Sequence, residues 1–239
     1  MKAENKDYPE NLRQHAPLFN IPAVILFIVF LCGLAFLIPE YFFPAQLYDA
    51  FYTYFAFIPE FFYRAFSTFW YTPVTYSFLH ASVMHVAVNM MWLVIFGSPL
   101  ANRIGNLKFI IFWCICSAIA AFAHLGIYPD SHVPMVGASG AISGMMGAAA
   151  RYGFRQVKTS DDNRRSEFAG PILSISQSLT SRNVLVFIGT WIAIDIFTGI
   201  ASPAIDGEGS SIAWVAHIGG MVAGFFLIGL FDSRRHRQI

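Results

Sequence analysis

The stretch Val133-Pro134-Met135-Val136-Gly137-Ala138-Ser139-Gly140-Ala141-Ile142-Ser143-Gly144-Met145-Met146-Gly147 decides how the chain reads. It is apolar enough to enter a bilayer, yet far richer in glycine than a lipid-facing helix needs to be. Gly140, Gly144 and Ala148 recur every fourth residue, and Gly137, Ala141 and Met145 repeat that spacing more weakly. Such faces of small residues let a second backbone come close. The apolar run stops at Arg151. From Gly137 to Ala150 it covers about 14 residues, or roughly 21 Å, against a hydrocarbon core of about 30 Å. With its inner end fixed at Arg151, its outer end starts below the membrane surface. Ser139 then sits at the floor of a recess that water can enter.

The rest of the composition agrees with a membrane setting. Of 239 residues, 56% are hydrophobic and 12% charged, about half the charged fraction of a soluble domain. Mean hydropathy is +0.55. The length suits roughly six spans with short loops. A formal net charge of +1, with no basic run interleaved with aromatics, points to no nucleic-acid partner. Cys32, Cys114 and Cys116 are odd in number and lie in apolar stretches. They read as buried thiols, so neither a disulfide framework nor a metal site is expected, and no cofactor is implied. The first apolar run is long enough to span and lacks a small-residue cleavage site, so no cleavable signal peptide is expected.

Taken in order, residues 1–20 form a polar N-terminal tail and residues 21–232 a six-span membrane domain. Residues 233–239 form a basic tail. The first span runs from Ile21 to Ile38. Residues 41–71 are dense in Phe and Tyr, with Pro44, Pro59, Asp49, Glu60 and Arg64. That is too interrupted for a span, and aromatic amphipathic segments favour the interface. The later spans are expected at Tyr71–Phe96, Phe109–Tyr128, Val136–Ala150, Val184–Ala201 and Ile212–Phe231, with a polar loop at 151–183. Every Lys and Arg except Arg64 falls in the N-terminal tail, near Arg103 and Lys108, in loop 151–183 or in the C-terminal tail. Six spans place all four on one side, and the basic bias makes that side cytoplasmic. No internal repeat supports a transporter built of inverted halves.

Spans two, four and six run in the same direction, so residues early in each share a depth. Span two carries His80, His85 and Asn89 there, span four Ser139 and span six His217. Polar groups in a bilayer are costly and face the bundle interior or a wet cavity. His85 and Asn89, at i and i+4, share a helix face. His80 lies off that face by about 140° on ideal helix geometry. Gly140 after the hydroxyl leaves the Ser139 N–H unobstructed. In a first helical turn that N–H has no intrahelical partner and can donate to a developing oxyanion. His217 shares a face with Gly220 and Gly224, so it faces the same neighbour as the closest-approach points. A histidine beside a serine can take its proton and return it to a leaving group. No carboxylate is expected beside His217, since Asp195 lies in span five, which runs the other way. The expectation is a dyad, with Asp195 left as an interhelical or water-facing hydrogen bonder.

These residues resemble the rhomboid intramembrane serine proteases. The resemblance is carried by Gly137-Ala138-Ser139-Gly140, by Ala216-His217-Ile218-Gly219-Gly220 with Gly224, and by Thr75-Tyr76-Ser77-Phe78-Leu79-His80 through His85 and Asn89. It implies an all-α polytopic membrane protein, a six-transmembrane-helix bundle whose aromatic first loop lies partly in the membrane. It further implies Ser139 as nucleophile and His217 as general base and acid. His85, Asn89 and the Ser139 N–H would form the oxyanion hole. Gly137, Gly140, Gly144, Gly220, Gly224 and His80 would have structural roles. Span five and the loop before span six look like the family's gate for a substrate helix. Members often carry an aromatic residue four positions after the nucleophile, against which the histidine packs; here Ser143 stands there. The expected partners are transmembrane protein substrates and the lipid bilayer of a bacterial plasma membrane. A non-catalytic binder of membrane helices is the alternative, and a proton-coupled transporter using His80, His85, Asp195 and His217 is a third class. The inner halves of the spans lack the ionisable groups a transporter path needs.

Overall fold

A computed structural model describes residues 21–154, 171–206 and 214–232. The expectations for the two tails, for residues 155–170 of loop 151–183 and for residues 207–213 lie outside the described residues. Helix α1 (Ala23–Phe42) is the first span. The aromatic loop folds into α2 (Ala45–Phe55), α3 (Pro59–Arg64) and α4 (Phe66–Phe69). A short turn, α5 (Thr72–Thr75), continues into a 3-10 turn at Tyr76–Phe78. Next come α6 (Val83–Trp92), α7 (Ser98–Ile104), α8 (Asn106–Ile127) and α9 (Ser139–Tyr152). Helices α10 (Ile175–Thr180), α11 (Arg182–Asp206) and α12 (Trp214–Phe231) complete the order.

Among the described residues, five segments are long and apolar enough to cross a membrane: α1, the continuous run Val83–Ile104, α8, α11 and α12. The sixth is α9, too short to span alone but sheathed by the others. Every residue from Gly140 to Tyr152 is buried. A helix apolar on all sides belongs at the centre, and the bundle closes around this one. The outer helices bury one stripe each. On α1 that stripe is Ile25, Ile28, Cys32 and Phe36; on α8 it is Phe109, Phe112, Trp113, Cys116 and Ala120. Both follow helical spacing. The opposite faces, such as Phe27 and Phe30 of α1 and Ile110 and Ile111 of α8, are exposed, as lipid-facing residues are.

Span two differs from its expected bounds. The helix starts at Val83, where the Ser82 side chain accepts from the His85 N–H at 3.1 Å and caps it. It runs on to Ile104, beyond the expected end at Phe96. Pro99 sits in that run and has no N–H to continue the ladder. A π-helical turn at Leu93–Gly97 takes up the mismatch. His80 therefore lies in the extended link before the helix, not on it. Arg103, expected in a loop, is buried on α7; the turn is made by Gly105 with φ 85°.

The basic inner ends gather at one end of the bundle. Arg103 pairs with Asp232 at 2.6 Å, both side chains about 1% exposed. Lys108 Nζ donates to the Phe231 carbonyl at 3.1 Å. Arg151 donates to the carbonyls of Leu173 and Phe225.

Helices α9 and α12 touch backbone to backbone. A methyl on Gly220 would overlap the Gly140 carbonyl, one on Gly224 the Gly144 carbonyl, and one on Gly147 the Met221 carbonyl. On the other side of α9, a methyl on Gly144 would lie 2.6 Å from Cys116 Sγ of α8. Overpacking of this kind typically costs about 1–3 kcal/mol, and more where the obstacle is backbone. Gly224→Ala is therefore expected to lower the unfolding free energy in mixed micelles by at least that amount. Gly189→Ala on α11, with nothing within 4 Å, should be neutral or stabilising by up to about 1 kcal/mol.

Candidate active site

The glycine contact sets the distance between two side chains near the outer end of the bundle. Ser139 opens α9 and His217 lies in the first turn of α12. Packing their backbones together leaves His217 Nε2 2.8 Å from Ser139 Oγ. Both residues are partly exposed, whereas α9 beyond Ser139 is closed off. Gly140, the next residue, packs against Ala120 of α8, seven residues short of the α8 end at Ile127. Ser139 thus lies roughly 10 Å in from the Ile127 end of that helix.

The segment leading into Ser139 is held on two sides. Phe57 and Met135 exchange backbone hydrogen bonds of 3.0 and 2.9 Å in an isolated antiparallel bridge. The Gly137 N–H donates to the Tyr76 carbonyl at 3.0 Å. Tyr76 is itself buried, with its hydroxyl donating to the Ser117 carbonyl at 3.0 Å and lying against Gly140. The aromatic first loop and the start of span two thereby fix where α9 begins. The sequence gave no sign of the Phe57 bridge.

Gly137 does not act in helix packing. It precedes α9 with φ 122°, a conformation L side chains rarely adopt. A methyl there would lie 2.8 Å from His85 Nε2 and 3.6 Å from Ser139 Oγ. His85 Nε2 and the Ser139 hydroxyl therefore both border Gly137. The Ala81 N–H points at His85 Nδ1 at 3.4 Å, which assigns Nδ1 as acceptor and leaves the proton on Nε2. The buried Asn89 donates one amide hydrogen to the His85 carbonyl at 3.0 Å, and an amide nitrogen carries a second. The Ser139 N–H lies at the open first turn of α9, so His85 and Asn89 of α6 and this N–H are the candidate donors of the site. His80 packs its buried ring edge-on to His85, centroids 5.1 Å apart. Its carbonyl accepts from Tyr52 at 2.8 Å. It supports His85 and does not reach Ser139.

One sequence expectation is overturned. A carboxylate does stand beside His217: Asp195 Oδ1 is 2.9 Å from His217 Nδ1. The signal was present but was counted from the wrong end. Ser139 lies 13 residues before the inner end of α9 at Tyr152, and His217 lies 14 before Phe231. Asp195 lies 13 residues after the inner start of α11 at Arg182. Helices of opposite direction still meet at equal depth when their residues are equally far from the same face. Ser143, where an aromatic was expected from the resemblance, is buried on α9.

Chemically, this is a hydroxyl with a base at hydrogen-bond distance and an imidazole donor bordering the same glycine. That set suits nucleophilic attack on a carbonyl and stabilisation of the resulting oxyanion. Among the described residues no cluster of three or more metal-binding side chains occurs.

Comparison with known proteins bears on the family. A family model described as the Rhomboid domain matches residues 67–234. The chain is similar to the rhomboid protease GlpG of Serratia proteamaculans (strain 568), at 27% identity over 164 residues, 69% of this chain and 48% of that protein. It is similar also to the rhomboid protease GlpG of Yersinia pestis (strain Pestoides F), at 27% over 161 residues, 67% of this chain and 48% of that one. The chain spans about half the length of the curated relatives it matches.

The two left-handed glycines separate backbone strain from the His85 contact. Gly105→Ala, with open space around it, should cost only the backbone term of about 1–3 kcal/mol. Gly137→Ala should lower the unfolding free energy in mixed micelles further, because its methyl also displaces His85. Equal losses in the two variants would contradict the contact.

Proposed function

The chain belongs to the rhomboid family, an intramembrane protease family, and on that premise we propose that it is a serine endopeptidase that cuts transmembrane helices near their outer end. The observation that carries the reading is the 2.8 Å contact of Ser139 Oγ with His217 Nε2 at the open end of an otherwise buried helix.

The proposed reaction runs as follows. Neutral His217 takes the Ser139 hydroxyl proton at Nε2 as Oγ attacks the scissile carbonyl. The oxyanion accepts from the Ser139 N–H, His85 Nε2–H and the second Asn89 amide hydrogen. The imidazolium then gives its proton to the leaving amine, and the bond to nitrogen breaks. Water entering the recess, deprotonated by His217, releases the acyl group from Ser139. A helical substrate hides its carbonyls in the i to i−4 ladder, so it must unwind locally to react. Substrates should therefore carry Gly or Pro near the cut, and the resemblance adds a preference for a small residue on the acyl side. In this reading the basic inner end faces the cytoplasm of a bacterium, with both termini there, and the site opens toward the opposite side.

The test is reconstitution in liposomes with a labelled single-span reporter. Wild type should cleave and Ser139→Ala should not; equal cleavage by both, or by neither, would contradict the reading. A fluorophosphonate probe should label wild type and not Ser139→Ala. A non-catalytic helix binder would retain the reporter without cutting it and take no label. Asn89→Ala should keep its fold and lose turnover on the order of 10²–10³-fold; an unchanged rate would remove Asn89 from the oxyanion hole.

A further inference from the structure

We propose that Asp195 is a positioning residue that turns His217 into a base of fixed tautomer, so that the site works as a Ser139–His217–Asp195 triad; this rests on the protease reading above. Donor and acceptor capacity decides where the ring proton sits. An ionised carboxylate only accepts. With Asp195 Oδ1 2.9 Å from His217 Nδ1, the ring proton belongs on Nδ1. Nε2 is then the lone-pair nitrogen, and it is Nε2 that lies 2.8 Å from Ser139 Oγ. Without an acceptor at Nδ1, the neutral ring is free to carry its proton on Nε2, where it cannot accept from the serine.

Placement supports the same role. Helix α11 is peripheral: Ile194, Ile196 and Phe197 are exposed, as lipid-facing residues are, while the Asp195 side chain is 14% exposed and turned to α12. An ionisable group inside a span is costly and calls for a partner. The ring also has a need for one. Ser143 occupies the position from which the resemblance would have an aromatic hold the histidine, and a serine side chain offers no ring to stack. The carboxylate fixes orientation by a charge-assisted hydrogen bond instead. It further stabilises the imidazolium that forms when Ser139 gives up its proton.

The groups around His217 are Ser139 from α9, Asp195 from α11 and a second imidazole, His85, from α6. Helix α8 meets this part of α12 through Ala120 and Ala123. Among them Asp195 supplies the acceptor at His217 Nδ1. A residue that merely tied α11 to α12 would leave the ring tautomer unmoved.

The experiment combines nitrogen NMR of the histidine rings in micelles with steady-state kinetics on the liposome reporter. The His217 signal is assigned by its loss in His217→Gln. In wild type, neutral His217 should be the Nδ1–H tautomer; an Nε2–H tautomer would overturn the proposal, and this arm needs no Asp195 variant to fold. Asp195→Ala should lose the tautomer preference. Its kcat should fall at least tenfold with KM within about twofold. A wild type that cleaves, with an Asp195→Ala variant that keeps both kcat and the ring tautomer, would overturn the role of Asp195 and leave the Ser139–His217 reading standing. A wild type that never cleaves yet shows the Nδ1–H tautomer would fail the protease reading while supporting the Asp195–His217 contact.

Discussion

The backbone contact between α9 and α12 is the constraint on which the rest of the molecule depends. Lipid tails are as apolar as leucine, so helices in a bilayer gain little by hiding hydrophobic surface from each other. They associate by close packing and by polar contacts. Gly140, Gly144 and Gly147 on one helix, with Gly220 and Gly224 on the other, allow carbonyls to lie where methyls would otherwise stand. The nearness of Ser139 to His217 follows from that approach. Two side chains as short as these meet only if their helices nearly touch. The glycines thus link sequence to chemistry through a distance, and their effect on activity is indirect.

A second requirement is that α9 begin at a fixed depth. A 14-residue helix cannot reach both surfaces, so its outer end must be carried by something else. The bridge between Phe57 and Met135 and the hydrogen bond from Gly137 to the Tyr76 carbonyl do this. The first loop is therefore part of the support of Ser139. At the inner end, the buried Arg103–Asp232 pair is weak grounds for stability, since desolvation offsets most of its attraction. It does fix the register of α7 against the end of α12.

Much of this was legible in the sequence because membrane burial leaves strong marks. The glycine spacing from Gly140 to Ala148, the stop at Arg151 and the apolar runs gave the bundle and the short central helix. Ser139, His217, His85 and Asn89 stood out as polar groups at matching depth. The misreadings share a physical origin. Asp195 was judged by the direction of its helix, where distance from the inner face decides what it meets. The start of span two was blurred because Thr72–Phe78 is helical and apolar but separate, and only the Ser82 cap marks the true beginning. Arg103 looked like a loop residue because its partner, Asp232, lies 129 positions away. The Phe57 bridge is a backbone contact between distant segments, which no side-chain pattern encodes.

The account's central claim is that the Ser139 hydroxyl reacts at a carbonyl held by the donors around it. A crystal structure of the protein soaked with a peptide aldehyde bearing a small terminal residue tests this most directly. The account predicts a covalent bond from Ser139 Oγ to the former aldehyde carbon. It predicts the new oxygen at about 2.7–3.1 Å from the Ser139 N–H nitrogen and His85 Nε2, with His217 still joined to Asp195. An unmodified Ser139 at saturating aldehyde, or an adduct whose oxygen points away from these donors, would contradict it.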